Sequence, residues 1–373
     1  MLLESLELFL VGIPLRQPLA VPSGTVERLE TVVVALHSGE ATGWGEASPG
    51  NGPWRSSEWA GGVFHAIRDF LGPAIASQSF SAGEDLQKAL EFVRGNQFAK
   101  AALDIAWWDL NSRLQNQPLH RMLDARREAV EVGPTLDRME SIDGLADALG
   151  QAMEAGFPRV KLKFRPGWDV NMVDFVRKEF PTLAIHIDCE AGLHLGFTDM
   201  LYRLEDFTLT MIEQPLPAED LVGHAMLQES LRTPLCLDES IVAQSHADMA
   251  LELHSCKYVN LKPGRVGGLT PAVAIHDLCH QACVPCFVGA MPQSTIAGRA
   301  GLALAAKENC SYPSDFFPSQ QVLADDLAEP LLPTKDPADG VQKTRLWSGP
   351  GLGVEPDREK LEKWCIAKHR LGQ

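Results

Sequence analysis

Five ionisable residues, Lys163, Asp188, Glu213, Asp238 and Lys262, follow one another at steps of 25, 25, 25 and 24 residues. Three carboxylates bracketed by two lysines make a donor set for a divalent cation with an ammonium group on either side. All-oxygen ligation suits Mg²⁺ or Mn²⁺ rather than zinc, and leaves positions for water and a chelating substrate carboxylate. Lys161 stands two residues before Lys163, so on an extended strand the two point the same way. Side by side and close to a dication, they are expected to depress each other's pKa and make one a base near neutrality. Lys262 is expected to approach from the opposite side. This set suits removal of a proton next to a carboxylate. Such a carbon acid is very weak, and its enediolate dianion needs a hard cation beside it.

Each of the five ends a short strand-like run: VKLKF, LAIHID, LTMIEQP, PLCLDES and YVNLKP. About 25 residues is the length of one strand, one helix and two tight turns. Charges at the carboxyl ends of five consecutive strands therefore ring the mouth of a β/α barrel, where catalytic groups of that architecture lie. Strand candidates fall near 132, 161, 186, 211, 236, 260, 287 and 312, with seven helical stretches between them. This predicts a modified TIM barrel, (β/α)7β, over 126–329 that lacks its last helix. Residues 1–125 read differently. Alternating strands (ESLELFLVGIPL, then ERLETVVVALHSG), a hairpin at Ser38-Gly39, and helical patterning over 57–70, 82–94 and 97–115 predict an α+β capping domain. The end of the chain, 330–373, is expected to return across that domain and complete it.

A length of 373 residues accommodates both parts. The formal net charge of −16 argues against nucleic-acid or anionic-membrane partners, and no apolar run approaches a membrane span. The start, MLLESLELFLVGIPL, has no basic n-region, and the eight cysteines read as thiols of a cytoplasmic protein. The expected partner is a small-molecule carboxylate. Barrels of this kind commonly assemble, so a homo-oligomer is expected.

With these residues in view, GWGEASP (43–49), KAALDIAWWDL (100–110), VKLKFRPGWDV (160–170), IEQPL (212–216), CLDESI (236–241) and VNLKPGRVGGL (259–269) give the chain its family likeness. It resembles the enolase superfamily, in its muconate-lactonizing-enzyme subgroup. KLKFRPGWDV, CLDESI, VNLKPGRVGG and the late GPGLGVEPD (349–357) look most like the o-succinylbenzoate synthase and N-acylamino acid racemase family. The resemblance implies that Lys163 is the acid/base on one face, and that Lys262 is the base or cationic stabiliser on the other. It also implies that Asp188, Glu213 and Asp238 bind Mg²⁺. The implied reaction is either dehydration of 2-succinyl-6-hydroxy-2,4-cyclohexadiene-1-carboxylate for menaquinone synthesis, or racemisation or cycloisomerisation at the same two-lysine site. Loops near Leu19–Thr25 and Ala47–Trp54 would close over the substrate, with Trp54, Gly289 and Met291 as contacts.

Two stretches depart from the family pattern. Where the family has Ala-Asn after the first metal ligand, this chain has Cys189-Glu190. Glu190 is expected to turn away as its strand ends, because a fourth carboxylate would oppose an anionic substrate. The seventh-strand stretch 289–299, Gly289-Ala290-Met291-Pro292-Gln293-Ser294-Thr295-Ile296-Ala297-Gly298-Arg299, carries one inserted residue relative to the family pattern and places Gln293 or Ser294 where the family has glutamate, which leaves the substrate open. An Asp-x-Asp at the eighth strand would mark a dipeptide epimerase; here that strand reads Tyr312-Pro313-Ser314-Asp315. Four further signals read as structural. His276, Cys279, His280, Cys283 and Cys286 are expected to be packed side chains rather than a zinc site. Gly264, Gly267 and Gly268 read as turn glycines, Trp107 and Trp108 as domain-interface packing, and Gly43-Trp44-Gly45-Glu46 as a bend.

Overall fold

The structure is a computed structural model that describes residues 1–137, 139–315 and 319–372, with Gln320 described by its backbone alone. Alternating apolar residues open the chain as an antiparallel meander: β1 (Ser5–Val21), β2 (Gly24–Ser38) and β3 (Ala41–Ala47). β1 and β2 are buried through Ile13, and beyond it they become a largely exposed ribbon whose tip holds the segment 19–25. The buried face packs against the helix Gln97–Leu114. Contact is so close that a Cβ on Gly45 would sit 2.1 Å from the carbonyl oxygen of Ala102, which is why GWG carries glycines here.

From residue 129 the chain alternates strand and helix. Ala129–Gly133 (β4) and Thr135–Leu136 (β5) form one run interrupted at Pro134, which has no N–H to donate. Then follow β6 (Val160–Lys163), β7 (Ile185–Asp188), β8 (Ile212–Glu213), β9 (Leu235–Leu237), β10 (Tyr258–Leu261) and β11 (Cys286–Val288). β5 to β11 lie side by side in sequence order, all parallel. β12 (Ser314–Asp315) pairs in parallel with β4. Helices cover the connections, including Ile142–Ala155, Val170–Glu179, Leu269–Gln281 and Thr295–Ala305. Parallel strands buried on both faces are the mark of an α/β fold. Most strands lie where the spacing places them; the last is centred about two residues beyond 312.

The C-terminal stretch divides. Thr334–Lys335 (β13) and Gln342–Arg345 (β14) add to the edge of β4, whereas Cys365–Gly372 (β15) runs antiparallel to β1 from Ser5↔Gly372 onward. The first sheet therefore has the order β15-β1-β2-β3, with both ends of the chain in it. Among the described residues no helix is long and apolar enough to cross a membrane.

Candidate active site

Strand register assembles the site. In the ladder Lys163 is opposite Asp188 and Asp188 opposite Glu213. β9 ends one residue before Asp238, and Lys262 follows Leu261, the last residue of β10. Five adjacent strands thus present lysine, aspartate, glutamate, aspartate and lysine in order. All three carboxylates are buried, Glu213 completely.

The lysines reach inward and pair with them. Lys161 Nζ lies 2.7 Å from Glu213 Oε1, 2.8 Å from Asp188 Oδ2 and 3.4 Å from Asp315 Oδ2. Lys163 donates to Asp188 Oδ2 at 2.8 Å, and Lys262 to Asp238 Oδ2 at 2.7 Å. Arg265 donates to the other Asp238 oxygen. Asn260 donates to Glu213 Oε1 at 2.8 Å, and His186 Nε2 stands 3.2 Å from Glu213 Oε2 without hydrogen-bond geometry.

This pairing sets the charge state of the two lysines in the ion-free site. Burial pushes both down, but Asp188 with Asp315 and Glu213 carries Lys161 well above the ordinary lysine range. Asp188 and Glu190 raise Lys163 against both its burial and the Lys161 charge. Carboxylates within 3.4 Å outweigh the like charge. Conversely, burial raises Asp188, yet Lys161 and Lys163 hold it far below the usual carboxylate range. For Asp238, burial is outweighed in the same way by Arg265 and Lys262.

Glu190 does not turn away. β7 ends at Asp188, and residues 190 and 191 take left-handed backbone conformations (φ +49° and +56°). That turn brings the carboxylate back, so that Oε1 accepts from Lys163 at 2.8 Å and Oε2 from Arg165 at 2.9 Å. The Glu190 amide donates to Asp188 Oδ1 at 3.0 Å. The fourth carboxylate therefore shares the Lys163 ammonium with Asp188.

The residue types suit a hard dication: three buried carboxylates on neighbouring strand ends, with Glu213 Oε2 lacking any hydrogen-bond partner. Among the described residues, however, no three His, Cys, Asp or Glu side chains converge at metal-binding distance. Asp188 and Asp238 face their lysines instead, and ligation requires them to turn from those partners.

Lys262, Gly289, Met291 and Gln293 line one cavity, with Glu46 and Ser48 from the first sheet opposite them. Gly289 packs against the lysine stem: a Cβ there would lie 2.7 Å from Lys262 Cε and 2.2 Å from Asn260 Oδ1. Trp54 is half exposed and packs over Gly52, outside that cavity wall. Cys279 and Cys286 are buried, Cys283 is exposed, and His276 Nε2 accepts from the amide of Asn309. Trp107 belongs to the core of the first sheet, while Trp108 Nε1 donates across to Thr270 Oγ1 at 2.8 Å.

Sequence reasoning passed over Arg265, Asn260, His186 and the structural weight of Asp315. Arg159 donates to Asp315 Oδ1 at 2.6 Å, so this aspartate joins two buried cations. Asp315 ends β12 as the other acids end theirs, and the strand-end rule alone points to it. Arg265 lies in VNLKPGRVGGL, but nothing in its spacing says that it turns back onto Asp238.

Comparison with known proteins agrees with the geometry. The family model "Enolase C-terminal domain-like" matches residues 144–360, and "Mandelate racemase / muconate lactonizing enzyme, N-terminal domain" matches residues 5–124. An o-succinylbenzoate synthase of Geobacillus stearothermophilus is 35% identical over 351 residues, 94% of this chain and 92% of that protein. An N-succinylamino acid racemase of an Amycolatopsis species is 34% identical over 373 residues, the full length of both. The crystal structure of an enolase-superfamily member from Enterococcus faecalis V583 superposes with a TM-score of 0.92 at 30% identity, covering 98% of both chains. The chain therefore belongs to the enolase superfamily of enzymes, beside relatives named as a lyase and as a racemase.

Proposed function

We propose that this enzyme abstracts a proton next to a carboxylate with Mg²⁺ bound, as an o-succinylbenzoate synthase. The observation that carries this reading is the order of groups along the sheet, Lys163–Asp188–Glu213–Asp238–Lys262, one per strand end. It gives a substrate placed over the carboxylates a lysine toward each face. In this reading the parallel strands complete a (β/α)7β barrel, capped by 1–125 with 330–373, in a cytoplasmic homo-oligomer.

Asp188, Glu213 and Asp238 hold the ion, which when bound supplies a hard positive charge to the substrate carboxylate as that group takes up electrons. Lys163 Nζ takes the α-proton of 2-succinyl-6-hydroxy-2,4-cyclohexadiene-1-carboxylate. It then returns a proton to the departing hydroxyl, so o-succinylbenzoate and water leave. To act as a base, Lys163 must give up the ammonium proton that Asp188 and Glu190 now hold, and Asp188 would be less able to hold it once its charge was shared with an ion. In this half of the chemistry Lys262 contributes only its positive charge.

A racemase reading rests on the full-length match to the N-succinylamino acid racemase. It asks Lys262 to exchange protons as well. Assay of the purified protein with the cyclohexadiene carboxylate and with N-succinyl amino acids, each with Mg²⁺, separates the two. Lys163→Ala is expected to abolish every activity, and Lys262→Ala to abolish racemisation. Solvent-deuterium exchange at the α-carbon of both enantiomers at the wild-type rate by Lys163→Ala would sink the assignment of that base. Chelation should stop turnover, and added Mg²⁺ should restore it.

A further inference from the structure

Glu46 sits at the end of β3, is 1% exposed, and is surrounded by donors. Oε1 accepts from Thr31 Oγ1 at 2.9 Å, from Ser48 Oγ at 3.3 Å and from the Ser294 amide at 3.0 Å. Oε2 accepts from Ser294 Oγ at 2.5 Å and from the Ala297 amide at 3.0 Å. Three of these five bonds cross from the first sheet to the first turn of the helix Thr295–Ala305, within the stretch 289–299 that departs from the family pattern. The amides of Ser294 and Ala297 can only donate, so each carboxylate oxygen must accept at least one bond from the helix end, while burial pushes this carboxyl up against those bonds. Burying it without them would cost heavily.

We infer that Glu46 is a positioning residue for the Lys262 side of the site, holding segment 289–294 in place through Ser294. The segment has little freedom at its other end. Gly289 donates its amide to Leu261 O at 3.0 Å, and its missing side chain lets it lie on Asn260 and the Lys262 stem. Glu46 thus fixes one end of a short span and Lys262 flanks the other, and both face the same cavity. Among the described residues, Lys163 instead finds its carboxylate partners Asp188 and Glu190 on β7 and the turn after it. The inference rests on the reading of Lys262 as the base of the second face.

Glu46→Gln replaces one acceptor with an NH₂ donor that must face donors. Two measurements test it. In hydrogen–deuterium exchange of the free protein, the amides of Ser294 and Ala297 should lose protection, while β6 and β7 keep theirs. In solvent-deuterium exchange into the two enantiomers of an N-succinyl amino acid, the Lys262-dependent enantiomer should slow at least tenfold, and the Lys163-dependent one less than threefold. Ser294→Ala, which removes the hydroxyl donor to Glu46 together with the N-cap acceptor of the Ile296 amide but keeps the Ser294 and Ala297 amide bonds, should show the same asymmetry more weakly and guards against misfolding of the first variant. Unchanged protection at 294–297, or equal slowing of both faces, overturns the inference. A wild type that exchanges neither enantiomer, or a Lys262→Ala variant that exchanges both normally, overturns the base reading instead, and the amide protection then decides the hold on the segment by itself.

Discussion

Asp315 has one oxygen 2.6 Å from Arg159 Nη2 and the other 3.4 Å from Lys161 Nζ, and all three groups are buried. Asp315→Ala leaves Arg159 without its carboxylate in the interior, which costs on the order of 3–5 kcal/mol. Urea unfolding should show that loss with an unchanged slope, whereas Asp315→Asn should lose less because one oxygen still accepts from Arg159. Glu190 makes a contrasting case. It is partly exposed and left-handed (φ +49°), a conformation asparagine also tolerates. Glu190→Asn should keep stability within about 0.5 kcal/mol and retain turnover, unlike Lys163→Ala. The two positions also mark what was legible at this scale. The five-residue ladder was legible because strand ends recur with the chain's own period. The return of Glu190 onto Lys163 was not, since it follows from two consecutive left-handed residues that no local signal marks.

The helix Gln97–Leu114 is tied to the helix Leu269–Gln281 by Asp104, whose Oδ1 accepts from the Thr270 amide at 3.0 Å and whose Oδ2 accepts from Gln87 at 2.9 Å. Burial pushes this carboxyl up to about 6 against those hydrogen bonds. The folded pKa thus lies above the unfolded one, so the folded state binds the proton more tightly. The group's stabilising contribution is complete below about pH 3.8 and is lost as pH rises through about 6. A shift of roughly two units corresponds to about 3 kcal/mol. Asp104→Asn removes the titration, so the stability of the variant relative to wild type should rise between pH 4 and pH 7 and then level off. A flat difference across that range would refute the assignment. The helix itself was legible as an apolar run from 97 to 115; its buried acid was not singled out, because a carboxylate in an apolar run gives no sign of the amide it will meet from a residue 166 positions away.

At the scale of the molecule, the chain closes on itself through the first sheet. β15 pairs with β1 over seven register positions, and β1 carries the core of that sheet through Leu6, Leu8 and Leu10. The sequence shows a returning C-terminal segment only as a loss of the strand–helix rhythm. It could not say that 334–345 would stop on β4 while 365–372 crossed to β1, because both are short polar strands and the partner alone distinguishes them. The division has a consequence. Removing residues 365–373 leaves β14 and the parallel strands with all their ladder bonds, but bares a long, apolar edge of β1. Exposed edges of that kind pair with other chains. The truncated protein should therefore lose its thermal midpoint first in the segments of the first sheet, as read by hydrogen exchange, and should self-associate with rising concentration. Strands β6 to β10 should stay protected, since none of their partners has been removed. Restoring the missing strand as a separate peptide should reverse the self-association. Loss of protection in β6 to β10 at the same rate would mean that the two sheets unfold as one unit and that the closure of the first is no independent source of stability.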